Sequence, residues 1–371
     1  MLIIPHTLSL ITTYRCTAAC DHCCFGCSPQ APEGIPASRM RSYIEQAAEI
    51  HSVKVVVFTG GECFLLGREL DELVKTAADH KFVTRFVSNG YWATSLPAAR
   101  RRLKTLHECG LREANFSTGE QHARYIRPEY VRNGAIAAAE LGMASLVAVD
   151  AFGDSVFDFD AFIDNAEFQK HVDAGTIVLK VSPWMRFRGE RRLAYTKQYL
   201  QKMEQHRSFG VGCATLLKVL AVNPAEELGI CCGLTLEQIP EMKIGSLREH
   251  SIRELLVKTP DDFVKIWIYL QGPDAVLRYA RQLDPSISIP RQQAHTCEVC
   301  RYVYGNPRIR EAVMRQPPEN MRDLITQYVQ GLAMPLGEVD SKFAARVVRG
   351  GGDVKQLKQL HRETRFKCQC V

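Results

Sequence analysis

Three cysteines near the start of the chain have a spacing that can bind an iron–sulfur cluster. They follow a short apolar stretch in the pattern C-x3-C-x2-C, at Cys16, Cys20 and Cys23. Three thiolates on one tight loop can bind three irons of a [4Fe–4S] cluster and leave the fourth iron without a protein ligand. A metal with an open position can bind the molecule on which chemistry is done, as a catalytic zinc ion does.

A structural zinc site is the alternative interpretation of these cysteines. Zinc in such sites takes four ligands, so one more side chain would have to join the three thiolates. The neighbours that can supply it are His22, Cys24 and Cys27. The spacing of the three cysteines favours iron–sulfur chemistry.

A Gly-Gly-Glu sequence follows the next predicted strand. The strand is the apolar run 53–58, and Gly60, Gly61 and Glu62 come almost directly after it. Glycines let a backbone approach a ligand closely, so their carbonyl groups can accept hydrogen bonds from an ammonium group. A carboxylate such as Glu62 adds a further acceptor. By itself, a Gly-Gly pair is usually no more than a turn.

Alternating strands and helices must position these residues. Six predicted strands alternate with helices over about 205 residues, which indicates a parallel sheet covered by helices. We expect the curved form, a partial (β/α)6 barrel of the TIM type, with its active site at the carboxyl ends of the strands. The predicted strands are 8–13, 53–58, 82–87, 113–117, 144–149 and 176–182. The predicted helices are 38–51, 69–79, 97–109, 128–141, 157–173 and 191–205.

The order of these motifs resembles the radical S-adenosylmethionine (SAM) superfamily, whose C-x3-C-x2-C loop follows the first barrel strand. The resemblance implies a [4Fe–4S] cluster on Cys16, Cys20 and Cys23, with an open iron that binds the amino and carboxylate groups of SAM. It also implies that an electron from the cluster cleaves SAM to a 5′-deoxyadenosyl radical, which abstracts hydrogen from a substrate. Two residues depart from the family pattern, since His22 replaces an aromatic residue and Cys24 directly follows the third cysteine. Neither change removes a ligand.

The resemblance further implies contacts to SAM from residues that follow successive strands. These residues are Gly60, Gly61, Glu62, Ser88, Asn89, Ser117 and Arg124. His122 has counterparts in many relatives, and the segment 183–191 resembles a family segment from which Arg188 or Arg191 would reach the substrate or SAM. Each of the polar residues after the third and fourth strands has an alternative interpretation as a loop residue or helix cap.

A second group of cysteines lies in the later half of the chain. Cys213, the adjacent Cys231 and Cys232, and the pair Cys297 and Cys300 are separated by turn residues and short elements. The arrangement resembles the C-terminal extensions called SPASM and twitch. That resemblance implies one auxiliary [4Fe–4S] cluster on Cys213, Cys232, Cys297 and Cys300, with Cys231 as the alternative to Cys232. A four-cysteine zinc ribbon is the other interpretation.

The remaining cysteines divide into two kinds. Cys63 and Cys109 are interpreted as buried small hydrophobic residues. The sequence assigns no role to Cys24, Cys27, Cys368 and Cys370. A SPASM extension with two clusters would need Cys368 and Cys370 as ligands. A thiol exposed near the mouth of the barrel would be able to donate a hydrogen atom, which an epimerase requires.

Composition places the chain in a reducing compartment. It has 14 cysteines in 371 residues, below the density of small disulfide-linked proteins, and its N-terminal segment lacks the features of a secretory signal. We therefore expect a cytoplasmic protein with reduced thiols. There is no uncharged apolar run of about 18 residues, so no membrane partner is expected. The net charge of +6 is mild and indicates no nucleic acid partner.

The sequence predicts three regions and favours one class of function. Residues 1–205 would form the radical SAM core, 206–305 the auxiliary cluster domain, and 306–371 a mostly helical region whose last part is basic. The favoured function is modification of a ribosomally made peptide, such as a side-chain cross-link. The alternatives are a small-molecule substrate and, more distantly, a non-enzymatic iron–sulfur or zinc protein.

The expected partners follow from the favoured function. They are a precursor peptide and an electron donor such as ferredoxin or flavodoxin. The first strand starts within ten residues of the N terminus, so leader recognition is expected from a separate protein or from the C-terminal region.

Overall fold

The computed structural model describes residues 3–150, 157–182, 211–290, 293 and 295–333. Within these ranges the chain forms one sheet with helices packed against it. The strands are β1 (Thr7–Ile11), β2 (Val55–Thr59), β3 (Val83–Ser88), β4 (Leu111–Gly119), β5 (Ala144–Asp150), β6 (Ile177–Ser182), β7 (Val219–Val222), β8 (Glu227–Gly229) and β9 (Lys243–Ser246).

Twelve α-helices fall within the described ranges. They are α1 (Ala37–Ala48), α2 (Arg68–Asp79), α3 (Leu96–Glu108), α4 (Pro128–Glu140), α5 (Phe159–Ile163), α6 (Ala166–Asp173), α7 (Ile252–Lys258), α8 (Phe263–Gln271), α9 (Pro273–Leu283), α10 (Thr296–Gly305), α11 (Pro307–Arg315) and α12 (Met321–Ala333). In the part of the chain that the structure describes, none of the helices combines the length and the apolar character needed to cross a membrane.

The strand order determines where a site can form. It runs β6-β5-β4-β3-β2-β1-β7-β8-β9, and every pair from β6 through β7 is parallel. The last two pairings, of β7 with β8 and of β8 with β9, are antiparallel. Carboxyl ends of parallel strands lie at one edge of a sheet, so the residues that follow β1 to β5 come together there. The predicted α/β fold with a parallel sheet is confirmed.

Apolar strands and capping residues explain why these elements form. The central residues of β2, 56–58, are all buried, as expected for a parallel strand covered on both faces. The Ser95 hydroxyl accepts a hydrogen bond from the Ala98 amide and caps α3. Pro128 begins α4, and Gly142 follows it with a φ of 71°, a left-handed conformation that glycine adopts without strain.

One predicted helix is divided in two. The sequence predicted a single helix over 157–173, but the structure has α5 and α6 in this range. Asn165 interrupts the helix because its side chain accepts a hydrogen bond from the Phe168 amide and caps α6. The helix predicted over 191–205, with Arg188, Arg191, Cys368 and Cys370, lies outside the described residues.

The later part of the chain continues the sheet of the first part. Strand β7 lies beside β1 in parallel register, with Leu8 opposite Leu220 and Leu10 opposite Val222. The short β8 and β9 extend this edge further. The boundary predicted at residue 205 falls in the stretch 183–210, which the structure does not describe. The division into three domains stays a prediction.

A buried carboxylate connects the later part to the first helix. Glu226, which precedes β8, is only 8% exposed. Its oxygens accept hydrogen bonds from the Tyr43 hydroxyl and from the Nε atoms of Arg39 and Arg248, at 2.7 Å and 2.9 Å for the two arginines. A charge buried among three donors is costly to leave unpaired, so this cluster fixes α1 against β7–β9.

We predict that Glu226→Gln lowers the free energy of unfolding by about 1–3 kcal/mol, because the amide group would face two guanidinium groups. Chemical denaturation measures the loss. Glu72→Gln is the matched control, since Glu72 is 66% exposed and forms only a surface ion pair. It should change stability by about 0.5 kcal/mol or less. Equal losses in the two variants would contradict the role given to Glu226.

Candidate functional site

A cavity of about 420 Å³ opens at the carboxyl ends of the parallel strands. Its wall combines the cysteine loop after β1 with residues that end or follow β2 to β5, and with residues 232–234 from the later part of the chain. The predicted site residues that line it are Cys16, Cys20, Cys23, Gly60, Gly61, Ser88, Asn89, Ser117 and Cys232. Glu62 and Arg124 are not among its lining residues.

The cysteine loop is closed at its base by backbone hydrogen bonds. The Cys16 amide donates to the Ser28 carbonyl at 3.1 Å, and the Ser28 amide donates to the Tyr14 carbonyl at 3.2 Å. The residues between Cys16 and Ser28 therefore form a compact loop that leaves β1 and returns beside it. This closure turns the C-x3-C-x2-C spacing into three thiols on one wall of the cavity.

The three thiols differ in their surroundings. Burial raises the pKa of Cys16 to about 11 and raises the pKa of Cys20 as well. Hydrogen bonding from Cys27 lowers the pKa of Cys23 to about 6, and the Cys27 amide lies 3.3 Å from the Cys23 sulfur. Burial disfavours the charged thiolate form of a cysteine. A buried thiolate therefore needs a nearby cation, such as an iron of a cluster, to compensate its charge.

The two glycines after β2 pack against the stem of the cysteine loop. The Gly61 amide donates to the Thr13 carbonyl at 2.6 Å, and the next amide, from Glu62, donates to the Arg15 carbonyl at 3.0 Å. A Cβ atom at Gly60 would lie 2.6 Å from the Thr13 carbonyl oxygen, and one at Gly61 would lie 2.1 Å from that of Arg15. Both positions therefore require glycine, and Gly60 also has a φ of 129°.

Glu62 lies behind the cavity wall and organises it. Its side chain is fully buried, and its two oxygens accept hydrogen bonds from the Ser88 hydroxyl and from the amides of Phe64 and Asn89, at 2.9–3.0 Å. Burial raises its pKa to about 7 in spite of these donors. The structure thus gives Glu62 a bracing position between β2 and β3, and its contact with SAM stays a prediction.

Asn89 connects the end of β3 to the cysteine loop. Its Nδ2 atom donates to the Thr17 hydroxyl at 3.0 Å and lies 3.5 Å from the Cys16 sulfur. Its Oδ1 atom accepts a hydrogen bond from the Tyr91 amide, which fixes the orientation of the side chain. Ser88 also lines the cavity and accepts a hydrogen bond from the Trp92 indole at 3.0 Å.

A carboxylate at the end of β5 was missed by the sequence analysis. Asp150 lines the cavity, is 5% exposed, and lies 3.5 Å from Nε2 of His22 and 3.5 Å from Nδ1 of His122. Strand β4 ends beside it at Gly119, where a Cβ atom would lie 1.8 Å from the Asp150 carboxylate. The sequence signal that could have identified Asp150 was its position directly after a predicted strand. Ser88 and the other polar candidates were selected by that criterion.

His22 and His122 form the part of the wall next to this carboxylate. Their rings make an edge-to-face contact with centroids 5.1 Å apart. Burial lowers the pKa of His22 to about 4, so its imidazole is neutral near pH 7. Arg124 lies outside this group and is about half exposed, and its guanidinium pairs with Asp21 at 3.6 Å and with Glu120 at 3.3 Å.

A family comparison covers this region. Residues 10–139 match the model described as the radical SAM superfamily. The match begins in β1 and extends into α4, so it includes the cysteine loop and the Gly-Gly-Glu sequence. These residues therefore form a radical SAM domain. The resemblance predicted from the two motifs is therefore confirmed.

Two further comparisons describe relatives of this radical SAM chain. The "Putative peptide biosynthesis protein YydG" of Bacillus subtilis (strain 168) is 28% identical over 127 residues, which are 34% of this chain and 40% of YydG. The match therefore spans less than half of the length of either protein. The solved structure described as native anSMEcpe with bound AdoMet and Cp18Cys peptide has a TM-score of 0.51 at 12% identity and covers 88% of this chain and 99% of that one.

A second solved structure is similar over a smaller share of each chain. Streptococcus suis SuiB bound to S-adenosylmethionine aligns with a TM-score of 0.44 at 14% identity, over 62% of this chain and 60% of that one. At these identities the anSMEcpe structure supports the radical SAM fold.

Radical SAM proteins use a [4Fe–4S] cluster and SAM, and the residues of this cavity fit both groups. Cys16, Cys20 and Cys23 offer three sulfur ligands on one wall and leave one iron open to the cavity. The carbonyl groups of Gly60 and Gly61 lie beside them with no side chain in the way. His22, His122 and Asp150 offer three further candidate ligand atoms, which lie within 4.8 Å of one another.

The second group of cysteines comes together beside the cavity. Cys231 and Cys297 each place their sulfur 3.1 Å from the point where a Cβ atom of Gly233 would lie, so the two sulfurs are no more than twice that distance apart. Burial raises the pKa of Cys231, and the charge of Cys213 raises it further. Burial also raises the pKa of Cys300, with further increases from the charges of Cys231, Cys297 and Cys213.

Cys232 lines the cavity, whereas the adjacent Cys231 is not among the lining residues. Its sulfur lies 3.9 Å from the hydroxyl of Ser9 on β1, and its side chain is exposed to the cavity that the cluster cysteines line. The adjacent Cys231 and Cys232 therefore face two different sites. Cys63 is fully buried, as expected, whereas Cys109 is only partly buried at the end of α3.

We predict that Gly61→Ala destabilises the chain by about 1–3 kcal/mol or more and reduces iron binding, because the added methyl group overlaps the Arg15 carbonyl and displaces the cysteine loop. Thermal unfolding and iron content per chain measure the two effects. Gly305→Ala is the control, since a Cβ atom there meets nothing within 4 Å. Normal iron content in Gly61→Ala would contradict the packing argument.

Proposed function

We propose that this chain is a radical SAM enzyme that modifies a ribosomally synthesised peptide by inverting an α-carbon. In this reaction a hydrogen atom is removed from one face of the carbon and Cys232 returns one to the opposite face. The observation that carries the proposal is the position of the Cys232 thiol, which lines the same cavity as the three cluster cysteines. The sequence favoured a cross-link and assigned Cys232 to an auxiliary cluster.

The chain's own residues divide the work in this reaction. Cys16, Cys20 and Cys23 would hold the cluster, and the carbonyls of Gly60 and Gly61 would accept hydrogen bonds from the amino group of SAM. When bound, the cluster and SAM supply the 5′-deoxyadenosyl radical that removes hydrogen.

The placement of Cys232 suits the return of hydrogen to the other face. The cluster cysteines belong to the loop after β1, whereas Cys232 belongs to the later part of the chain and reaches the cavity beside Ser9. A substrate carbon between these two walls would lose its hydrogen on the side of the loop and gain another on the side of Cys232. Inversion requires that hydrogen leaves one face of the carbon and returns to the opposite face.

A peptide substrate is supported by the relative. YydG is described as a putative peptide biosynthesis protein and is 28% identical to this chain over 127 residues. We further propose that the chain acts in the cytoplasm and receives electrons from a ferredoxin or flavodoxin. A separate leader-binding protein would assist recognition of the precursor.

We also propose one auxiliary [4Fe–4S] cluster, held by Cys213, Cys231, Cys297 and Cys300. Four thiolates are the usual ligand set of such a cluster. Cys231 replaces the Cys232 of the sequence prediction.

A side-chain cross-link is the second candidate. A cross-link removes two hydrogens from the peptide. The 5′-deoxyadenosyl radical takes one of them as a hydrogen atom, and the other leaves as a proton, so one electron must pass to an acceptor. An auxiliary cluster beside the cavity would serve as that acceptor. Cys297 lies next to Gly233, which lines the cavity, and this position favours the cross-link as the second candidate. Epimerisation and cross-linking differ in product mass, so one experiment separates them.

We predict that the reconstituted enzyme, given SAM, reductant and synthetic copies of the peptides encoded next to its gene, forms a D-residue. In D2O the product should be one mass unit heavier, because the exchangeable Cys232 thiol delivers deuterium. Cys232→Ala should still form 5′-deoxyadenosine but lose at least about 90% of the inversion. Chiral amino-acid analysis and mass spectrometry measure these quantities.

Cys109→Ser is the matched control, since Cys109 lies at the end of α3 and does not line the cavity. It should invert the peptide as the parent does. Inversion that survives in Cys232→Ala would overturn the role of this thiol. A product that has lost two hydrogens would replace the proposed epimerisation with the cross-link.

A further inference from the structure

Three polar side chains that the proposed reaction leaves unused come together on one wall of the cavity. His22 belongs to the cysteine loop, His122 follows β4, and Asp150 ends β5. All three line the cavity, and one candidate ligand atom from each lies within 4.8 Å of the other two. Segments that are far apart in sequence thus converge on one point at the carboxyl ends of the strands.

The Asp150 carboxylate lies at the centre of this group. It is 5% exposed, and Nε2 of His22 and Nδ1 of His122 each lie 3.5 Å from one of its oxygens. In the part of the chain that the structure describes, Asp150 forms no ion pair with a lysine or an arginine. Buried charges in proteins are paired or coordinate a metal, so a bound cation would suit this position.

Backbone groups hold this carboxylate in place. The Gln121 amide donates a hydrogen bond to Oδ2 of Asp150 at 3.2 Å. Gly119 leaves room for the side chain, since a Cβ atom there would overlap Oδ1. Carboxylates that ligate metals are hydrogen-bonded by surrounding groups that orient them. The wall is therefore built around the position of the carboxylate, as a metal site requires.

The spacing of the three side chains suits one divalent cation. Bonds of about 2.0–2.2 Å to one ion place neighbouring ligand atoms about 3.0–3.5 Å apart, close to the two separations of 3.5 Å between the histidines and Asp150. Two imidazoles and one carboxylate, with open positions beside them, are a ligand set that binds iron(II), and the carboxylate also suits manganese(II). No cysteine belongs to this set, which separates it from both cysteine groups.

We propose that His22, His122 and Asp150 bind a divalent cation of the iron(II) and manganese(II) class on the cavity wall. Because all three residues line the cavity, the positions that they leave open would take water or a carbonyl oxygen of a peptide. The proposal does not depend on the inversion reaction, since the ion takes no part in hydrogen transfer.

Manganese titration of the cluster-loaded protein tests the site, with SAM present and without peptide or reductant. Mn²⁺ prefers oxygen ligands to soft thiolates, and its EPR signal distinguishes the free ion from the bound ion. Loosely bound iron is first removed with a chelator. We expect about one Mn²⁺ per chain, with nitrogen couplings from imidazole ligands in pulsed EPR spectra. No bound Mn²⁺, or bound Mn²⁺ without nitrogen couplings, would overturn the proposal.

Two variants test which residues hold the ion. His122→Ala and Asp150→Asn should each weaken Mn²⁺ binding at least about tenfold, because the first removes a ligand and the second removes the negative charge. Both should bind as much cluster iron as the parent. His80→Ala is the matched control, since His80 is exposed at the end of α2 and does not line the cavity. It should bind Mn²⁺ as the parent does.

Unchanged Mn²⁺ binding in His122→Ala would place the ion elsewhere and overturn the assignment. If either variant loses its iron, the nitrogen couplings of the parent protein decide the matter. This site and the proposed function fail in different ways. Absence of bound Mn²⁺ would leave inversion by Cys232 intact, and inversion that survives in Cys232→Ala would leave the Mn²⁺ titration unchanged.

Discussion

The close contact between two glycines and the stem of the cysteine loop is the constraint on which the site depends. The amide of Gly61 and the amide that follows it donate to the carbonyls of Thr13 and Arg15, at 2.6 Å and 3.0 Å. No side chain fits between these backbones. The end of β2 therefore holds the loop that leaves β1, and three thiols come to face a common cavity. Glu62 and Asn89 reinforce the contact from behind, through hydrogen bonds that reach β3 and Cys16.

The adjacent Cys231 and Cys232 give the later part of the chain two tasks. Cys231 joins the second group of cysteines, while Cys232 enters the cavity of the first group beside Ser9. A single backbone segment thus connects the two sites. The position of β7 beside β1, fixed by Glu226 and its partners, brings this segment to the cavity. Under the proposed function, the substrate is modified between the cysteine loop and Cys232.

The sequence predicted the fold and the first cysteine site because their signals are local. Apolar runs such as 55–58 mark buried strands, and the spacing of Cys16, Cys20 and Cys23 fits one loop. The bracing position of Glu62 was not predictable, since two of its donors, the Ser88 hydroxyl and the Asn89 amide, come from the end of β3, which only folding brings beside it.

Tertiary packing also decided the details that sequence left open. Asp150 gave no motif, and its importance appears only when the loops after β1 and β4 bring His22 and His122 beside it. The choice between Cys231 and Cys232 had the same origin. Cys231 and Cys232 follow β8 closely along the chain, and only the folded structure shows which of the two lines the cavity.

Iron analysis of the cysteine variants tests most directly whether Cys231 and Cys232 serve different sites. The starting protein carries alanine at Cys16, Cys20 and Cys23 and is reconstituted without oxygen. We predict about four irons per chain, as one four-thiolate cluster holds. Adding Cys231→Ala should remove them, and adding Cys232→Ala instead should leave them in place. Loss of the iron with Cys232→Ala and retention with Cys231→Ala would contradict this assignment.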